Sequence, residues 1–226
     1  MIMDQLYILL GIGIAAALAI SLVRQALEKK RAKAIAAQRL FAEVSPLLEG
    51  FDMKPGDSVG SWKATGRYQG ELFQYHAVTD TLSTRKLPSL WLLLTLPKPQ
   101  PLTATIDVMM RPAAQSTFSQ FDFLPHSLQP AADLPAEALV RSDQANAWFP
   151  AEAMTLANPV LRGPGGKELL MSPRGLRIVV QVAEADRLRY GVFREARFDD
   201  AVIDGSQART IMDALLALDS ALRKAA

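Results

Sequence analysis

Hydrophobic residues fall along this chain in three distinct ways. From Leu6 to Val23 they are nearly continuous, and LYILLGIGIAAALAISLV holds no charge. At about 1.5 Å per residue such a helix spans about 27 Å, close to the hydrocarbon thickness of a bilayer. A core helix shows a polar face, and this run shows none. It is therefore expected to be a transmembrane helix, with Tyr7 at its interfacial end. From Arg24 onward the spacing becomes helical and one-sided. Leu40, Val44, Leu47 and Leu48 fall on one stripe, so the span is expected to continue as a helical stalk to about Glu49, with Gly50 ending it.

Beyond Lys54-Pro55-Gly56-Asp57, a turn, the period shortens to that of strands. Val59–Arg67 and Glu71–Val78 form an expected hairpin. Ser89–Leu96 (SLWLLLTL) is an apolar run of strand length, expected in the sheet centre and buried on both faces. Thr103–Met110 alternates, with Ala104, Ile106, Val108 and Met110 on one side. Short strands are expected at Phe118–Phe123 and Ala136–Arg141, with a proline-rich loop, Leu124–Pro135, between them. Asp143 is placed to cap a middle helix running from Gln144 towards Ala157, interrupted or begun again near Pro150. Glu168–Met171 and Gly175–Ala183 read as a second hairpin, and Arg189–Phe198 as a last strand. Asp204 caps a final helix, Gln207–Lys224, whose stripe of Ile211, Leu215, Leu218 and Leu222 suits it to lie on a sheet. Strands cluster rather than alternate with helices, which predicts an α+β domain with a mostly antiparallel sheet, the C-terminal helix packed on it. The expected organisation is a tail and transmembrane helix (1–23), a basic amphipathic juxtamembrane helix (24–52) and a soluble α+β domain (53–226).

Charge settles how the span is interpreted. Arg24, Lys29, Lys30, Arg31, Lys33 and Arg39 crowd one short stretch, against Glu28 alone, while only Asp4 precedes the apolar run. A cleaved signal peptide carries its positive charge before the run, so the order favours an uncleaved anchor. The positive-inside rule then puts the N-terminus outside and the C-terminal domain in the cytoplasm, at an inner (plasma) membrane. Arg24, Lys29, Lys30, Arg31 and Lys33 are the candidates for meeting lipid headgroups. Gly11, Ala15 and Ala19 make a small-xxx-small row, the candidates for packing against another membrane helix. Without the basic cluster the rest of the chain is slightly acidic, so a pI near 8.9 is no sign of nucleic-acid binding. Cysteine is absent, which removes disulfides, thiolate metal sites and a cysteine nucleophile.

Candidate chemistry is thin. Gly163-Pro164-Gly165-Gly166-Lys167 resembles a phosphate-binding loop in composition. It lacks the glycine expected at position 161 and the Ser or Thr at 168, and a strand rather than a helix should follow. His76 and His126 are the only histidines, and no nucleophile or ligand spacing accompanies them. Asp199, Asp200 and Asp204 are the densest acids and suit a helix cap better than a metal. Arg174, Arg177, Arg187, Arg189, Arg194 and Arg197 would give late strands either a basic surface or, with Glu184, Asp186, Glu195 and Asp199 interspersed, ordinary ion pairs. No catalytic, cofactor or metal residue is assigned and no cofactor is implied. The expected function is that of a non-enzymatic scaffold or accessory subunit of a membrane complex, with the bilayer and another membrane protein, or a second copy, as partners. The alternatives are a tethered enzyme or ligand-binding domain, with a pocket between the sheet and the last helix, and an anionic-lipid sensor.

Overall fold

The computed structural model describes the chain apart from residues 1, 59, 81–86, 113–115, 131–132, 149–150, 195, 199 and 226; in helical residues 2–17, 29 and 151 it describes the backbone alone. The chain divides into two compact units, 1–40 and 41–226. The first is a single helix, α1 (Ile2–Leu40). Among the residues with described side chains no helix is long and apolar enough to cross a membrane. Most of the expected span, Leu6 to Ala17, lies outside them.

The helix does not run to Glu49. It stops at Leu40, followed by turns in which the amides of Val44 and Ser45 both bond to the Phe41 carbonyl. Pro46 has no amide proton to extend an α-helix, and it occupies the first turn of a 3-10 segment, Ser45–Leu47. Leu48 is tied into the second unit, where its side chain fills the space that a Cβ on Gly66 would need.

The second unit is built on one antiparallel sheet. Its strands among the described residues are β1 (Glu49–Pro55), β2 (Trp62–Tyr68), β3 (Glu71–Asp80), β4 (Ser89–Leu96), β5 (Ile106–Met110), β6 (His126–Leu128), β7 (Ala138–Ser142), β8 (Gly166–Ser172) and β9 (Gly175–Glu184). Their order is β1-β2-β3-β4-β9-β8-β5-β7-β6. The first four strands form a meander, and the β8–β9 hairpin joins it to β5, β7 and β6. The expected hairpins and the bounds of β4 agree with the sequence pattern. The strand expected from Val59 begins at Trp62, and Val59 is outside the described residues.

Two helices cover one face. α2 (Ala151–Arg162) packs on β8 and on α4 (Gly205–Ala225), and α4 packs on β4 and β9. The α4 stripe of Ile211, Met212, Leu215, Leu218 and Leu222 is buried, as are Ala153, Met154, Ala157 and Leu161 of α2. Facing them are Phe73, Tyr75, Ala77, Leu92, Leu94, Leu96, Leu176, Ile178, Leu169, Ile106 and Val108. Cross-strand partners such as Tyr75–Leu94, Leu94–Ile178 and Ile178–Leu169 place them on one side of the sheet. Asp204 caps α4 as expected, its Oδ1 accepting from the Gln207 amide at 2.7 Å, a bond that satisfies one of the free amides of the first turn.

Three expected elements differ. Arg189–Phe198 is not a strand: Arg187–Phe193 is a short helix, α3, whose N-cap Asp186 accepts from the Arg189 amide at 2.8 Å. Leu188 and Val192, four apart, already carried the helical spacing under an apparent alternation. Asp143 caps no helix. Its Oδ1 takes the Thr105 amide at 2.9 Å, and α2 runs from Ala151, next to the proline where the sequence expected the helix to break or begin again. Phe118–Phe123 holds a 3-10 turn (Phe121–Phe123) in place of a strand, while β6 forms inside the proline-rich segment.

Candidate functional site

The sheet face turned away from the helices holds the unusual chemistry. Strand alternation sets Asp107 of β5, Glu168 of β8 and Arg177 of β9 on the side away from α2 and α4. Asp107 and Glu168 lie diagonally, since Asp107 is opposite Leu170 and Glu168 is opposite Met109. Both carboxyls are buried, Asp107 at 1 % exposure and Glu168 at 0 %. Arg177 brings Nη2 to 3.3 Å from Glu168 Oε2, and Ser119 Oγ donates to Glu168 Oε1.

What buries them is the segment after β5. Phe118 packs against Trp91, ring centroids 5.0 Å apart, and forms a small second core with Val78, Leu93 and Val179. Ser119, the next residue, is thereby brought over Glu168. Phe121 follows, buried, with the Arg141 guanidinium 5.2 Å from its ring centre, within reach of the ring's negative face.

As a carboxylate Asp107 finds no well-placed donor for either side-chain oxygen, whereas as the acid it can hydrogen-bond to Glu168 beside it. As an anion it would be buried and unpaired beside a second carboxyl, which is costly. Burial, and then repulsion from Glu168, push the Asp107 carboxyl up to about 9. Asp107 therefore keeps its proton at neutral pH, and Arg177 pairs with the Glu168 carboxylate. Sealed from solvent, this pair stores a proton in the interior. It offers no open carboxylate to a substrate.

No family model matches this chain, and no curated protein or solved structure matches it. Its chemistry therefore rests on the geometry of its own residues.

The residues singled out by sequence are dispersed. His76 lies on β3 and His126 on β6, with five strands between them. At about 4.8 Å per strand they are roughly 29 Å apart, too far to act on one group. His76 is held below the usual imidazole range, first by burial and next by Lys63, so it is neutral at pH 7. Among the described residues no group of acids and histidines is placed to hold a metal ion. Asp199 is outside those residues, and Asp204 is occupied as a cap.

The glycine loop is a packing joint. A Cβ on Gly166 would press on the Val160 and Leu161 carbonyls, and one on Gly165, at φ +74°, would lie 2.5 Å from the Gln181 oxygen. The glycines thus let the end of α2 approach the β8–β9 hairpin. Lys167 turns its ammonium to the Met110 and Arg111 carbonyls, each at 2.8 Å. A cavity of about 440 Å³ lies beside this joint, between the end of α2 and the start of α4. Two of its polar linings are already engaged: Asp204 caps the helix, and Gln207 Nε2 donates to the Pro164 carbonyl at 2.9 Å.

Arg24, Lys30, Arg31 and Lys33 are exposed on α1, and so is Ala19; the side chains of Lys29, Gly11 and Ala15 are outside the described residues. The late arginines do not line one strand surface. Arg177 is half-hidden against Glu168, Arg174 is in the β8–β9 turn, and Arg187 and Arg189 are on α3, with Arg194 as its C-cap. Asp107 and Glu168 were legible only as the polar residues of half-buried strands. The one hint was an acid inside the apolar run Ile106-Asp107-Val108-Met109-Met110.

Proposed function

We propose that this chain is a single-pass membrane-anchored protein whose C-terminal unit is a non-enzymatic scaffold or accessory subunit of a membrane complex, facing the cytoplasm. The observation that carries the anchor is the uncharged run Leu6–Val23, followed by the basic cluster from Arg24 to Arg39. Of those basic residues Arg24, Lys30, Arg31 and Lys33 stand exposed on α1, open to headgroups, and Arg39 is exposed as well. The non-enzymatic reading is supported by the fate of the polar groups. The carboxyl pair is closed over, the histidines are far apart, and the glycine loop serves packing.

The test uses the absence of native cysteine. Single cysteines at Ile2 and Ala225, in the otherwise cysteine-free chain, report sidedness through a membrane-impermeant thiol reagent on intact cells. Labelling at residue 2 alone is expected. Labelling at residue 225 would reverse the orientation, and release of the chain by alkaline carbonate would remove the anchor. Mild-detergent purification should then bring stoichiometric membrane partners. A solitary monomer would end the accessory-subunit reading and turn attention to ligands for the α2–α4 cavity.

A further inference from the structure

Asp107 is walled in unevenly. Strands β7 and β8 flank it, and the helix-side core lies behind β5. The remaining wall is residues 118–123, whose Ser119 lies over both carboxyls. Among the described residues the backbone hydrogen bonds of that segment are turns of its own, from the Phe123 amide to Gln120 and from the Leu124 amide to Phe121. Side chains fix it to the sheet. The Phe118 ring lies on Trp91, and the Ser119 hydroxyl donates to Glu168 while accepting the Phe121 amide at 3.1 Å. Arg141 lies over the Phe121 ring and donates to the Asp122 carbonyl at 3.2 Å. The charged groups facing Asp107 are Glu168 from β8, Arg177 from β9 and Arg141, its direct cross-strand partner, from β7. Both guanidiniums are engaged, Arg177 by Glu168 and Arg141 by the segment itself. Asp122, the segment's own acid, is exposed.

We propose that residues 118–123 are a proton-held lid: the proton on Asp107 keeps them shut over Glu168, and its loss to water lifts them from the sheet while the helix-side core stays folded. Without that proton two buried carboxylates stand side by side, and only water can relieve them. Parting β5 from β7 or β8 would break strand ladders, whereas lifting the lid breaks side-chain contacts alone. Trp91 Nε1 and Arg177 Nε, on the same face, are also buried without a partner, so the closed state already leaves groups that water would satisfy. The open face presents the carboxyl pair and Arg177 beside an apolar floor of Val78, Trp91, Leu93 and Val179. Closed, Asp107 titrates at about 9, and open to water at the ordinary 3.8. Between those values each pH unit raises the ratio of open to closed by up to about tenfold, so rising pH is the opening signal. The lid belongs to the second unit and is independent of the anchor.

The experiment is amide hydrogen exchange of the full-length chain in detergent, read by mass spectrometry from pH 5 to pH 8 and corrected for intrinsic exchange, with and without about 1 M urea. Protection of 118–123 is expected to fall by up to about tenfold per pH unit. It should stay weaker than that of α4 throughout and be unmoved by urea, as an opening that exposes little surface requires. In D107N the fall with pH should disappear. Protection that is independent of pH in the parent, or that falls as steeply in D107N, overturns the inference. So does protection that matches that of α4 in size and falls with urea as α4 does, because the lid then opens only when the whole unit unfolds. The parent series carries the test by itself should D107N not fold.

Discussion

Replacing Asp107 by asparagine gives the sharpest test of the buried pair. Asp107 titrates at about 9 in the folded chain, against an ordinary value of 3.8. Below pH 3.8 both states hold the proton and the full stability is present. Above it the unfolded chain releases a proton that the folded chain keeps, so stability falls by up to about 1.4 kcal/mol per pH unit until the folded group also titrates, near 9. From pH 5 to pH 8 the loss amounts to about 4 kcal/mol. At 1 % exposure there is little solvent to screen it. Asparagine has the same shape and no proton to lose, and its amide can donate to Glu168. Thermal melts of parent and D107N full-length chains in one detergent, followed by tryptophan fluorescence, isolate the titration of the Asp107–Glu168 pair, because groups remote from it cancel in the difference. At about 2–4 °C per kcal/mol for a chain of this size, the gap in Tm should shift towards D107N by about 8–16 °C between pH 5 and pH 8. A gap independent of pH would refute a stored proton on Asp107.

Glu168→Gln should act in the opposite sense. It leaves Arg177 facing a neutral amide in a mostly buried site and should cost about 2–3 kcal/mol at pH 7, measured by the same melts. Asp219 accepts from Lys98 at 3.0 Å and from Gln100 and Arg223 at 2.9 Å. Burial pushes its carboxyl up, but the hydrogen bonds from Arg223, Gln100 and Lys98 prevail and hold it below the usual range. Asp219→Ala should therefore cost about 2–3 kcal/mol at neutral pH, and parent and variant should converge as pH falls below that of a free aspartate. Gly166→Ala forces the end of α2 off β8 and should cost about 2–4 kcal/mol in melts, whereas added phosphate or ATP should leave the parent Tm unmoved. A phosphate-dependent rise would restore the loop as an anion site.

Where the sequence was legible, the determinant was local. The Ser89–Leu96 run, the β2–β3 turn at Tyr68-Gln69-Gly70 and the Asp204 cap each carry their cause within a few residues. The stalk's end was missed because Leu40, Val44 and Leu47 keep a helical period through Pro46, and only packing on the sheet makes a strand of Glu49–Pro55. The α3 segment was mistaken for a strand because arginines separate its apolar residues at spacings that suit either period. The carboxyl pair depends on Phe118 and Ser119 crossing to β4 and β8, and nothing near Asp107 announces that closure.

The strand order has a consequence for synthesis. β4, the most apolar strand, receives its second neighbour only from β9, which is made after β5, β6, β7 and β8. A ribosome adding about 5–20 residues per second needs roughly 4–16 s to pass from Leu96 to Gly175. Throughout that interval the meander β1–β4 ends in an unpaired edge of SLWLLLTL, a template for any other nascent strand. The growing chain thus calls for a holding chaperone, or for crowding low enough that β9 arrives before a stranger does.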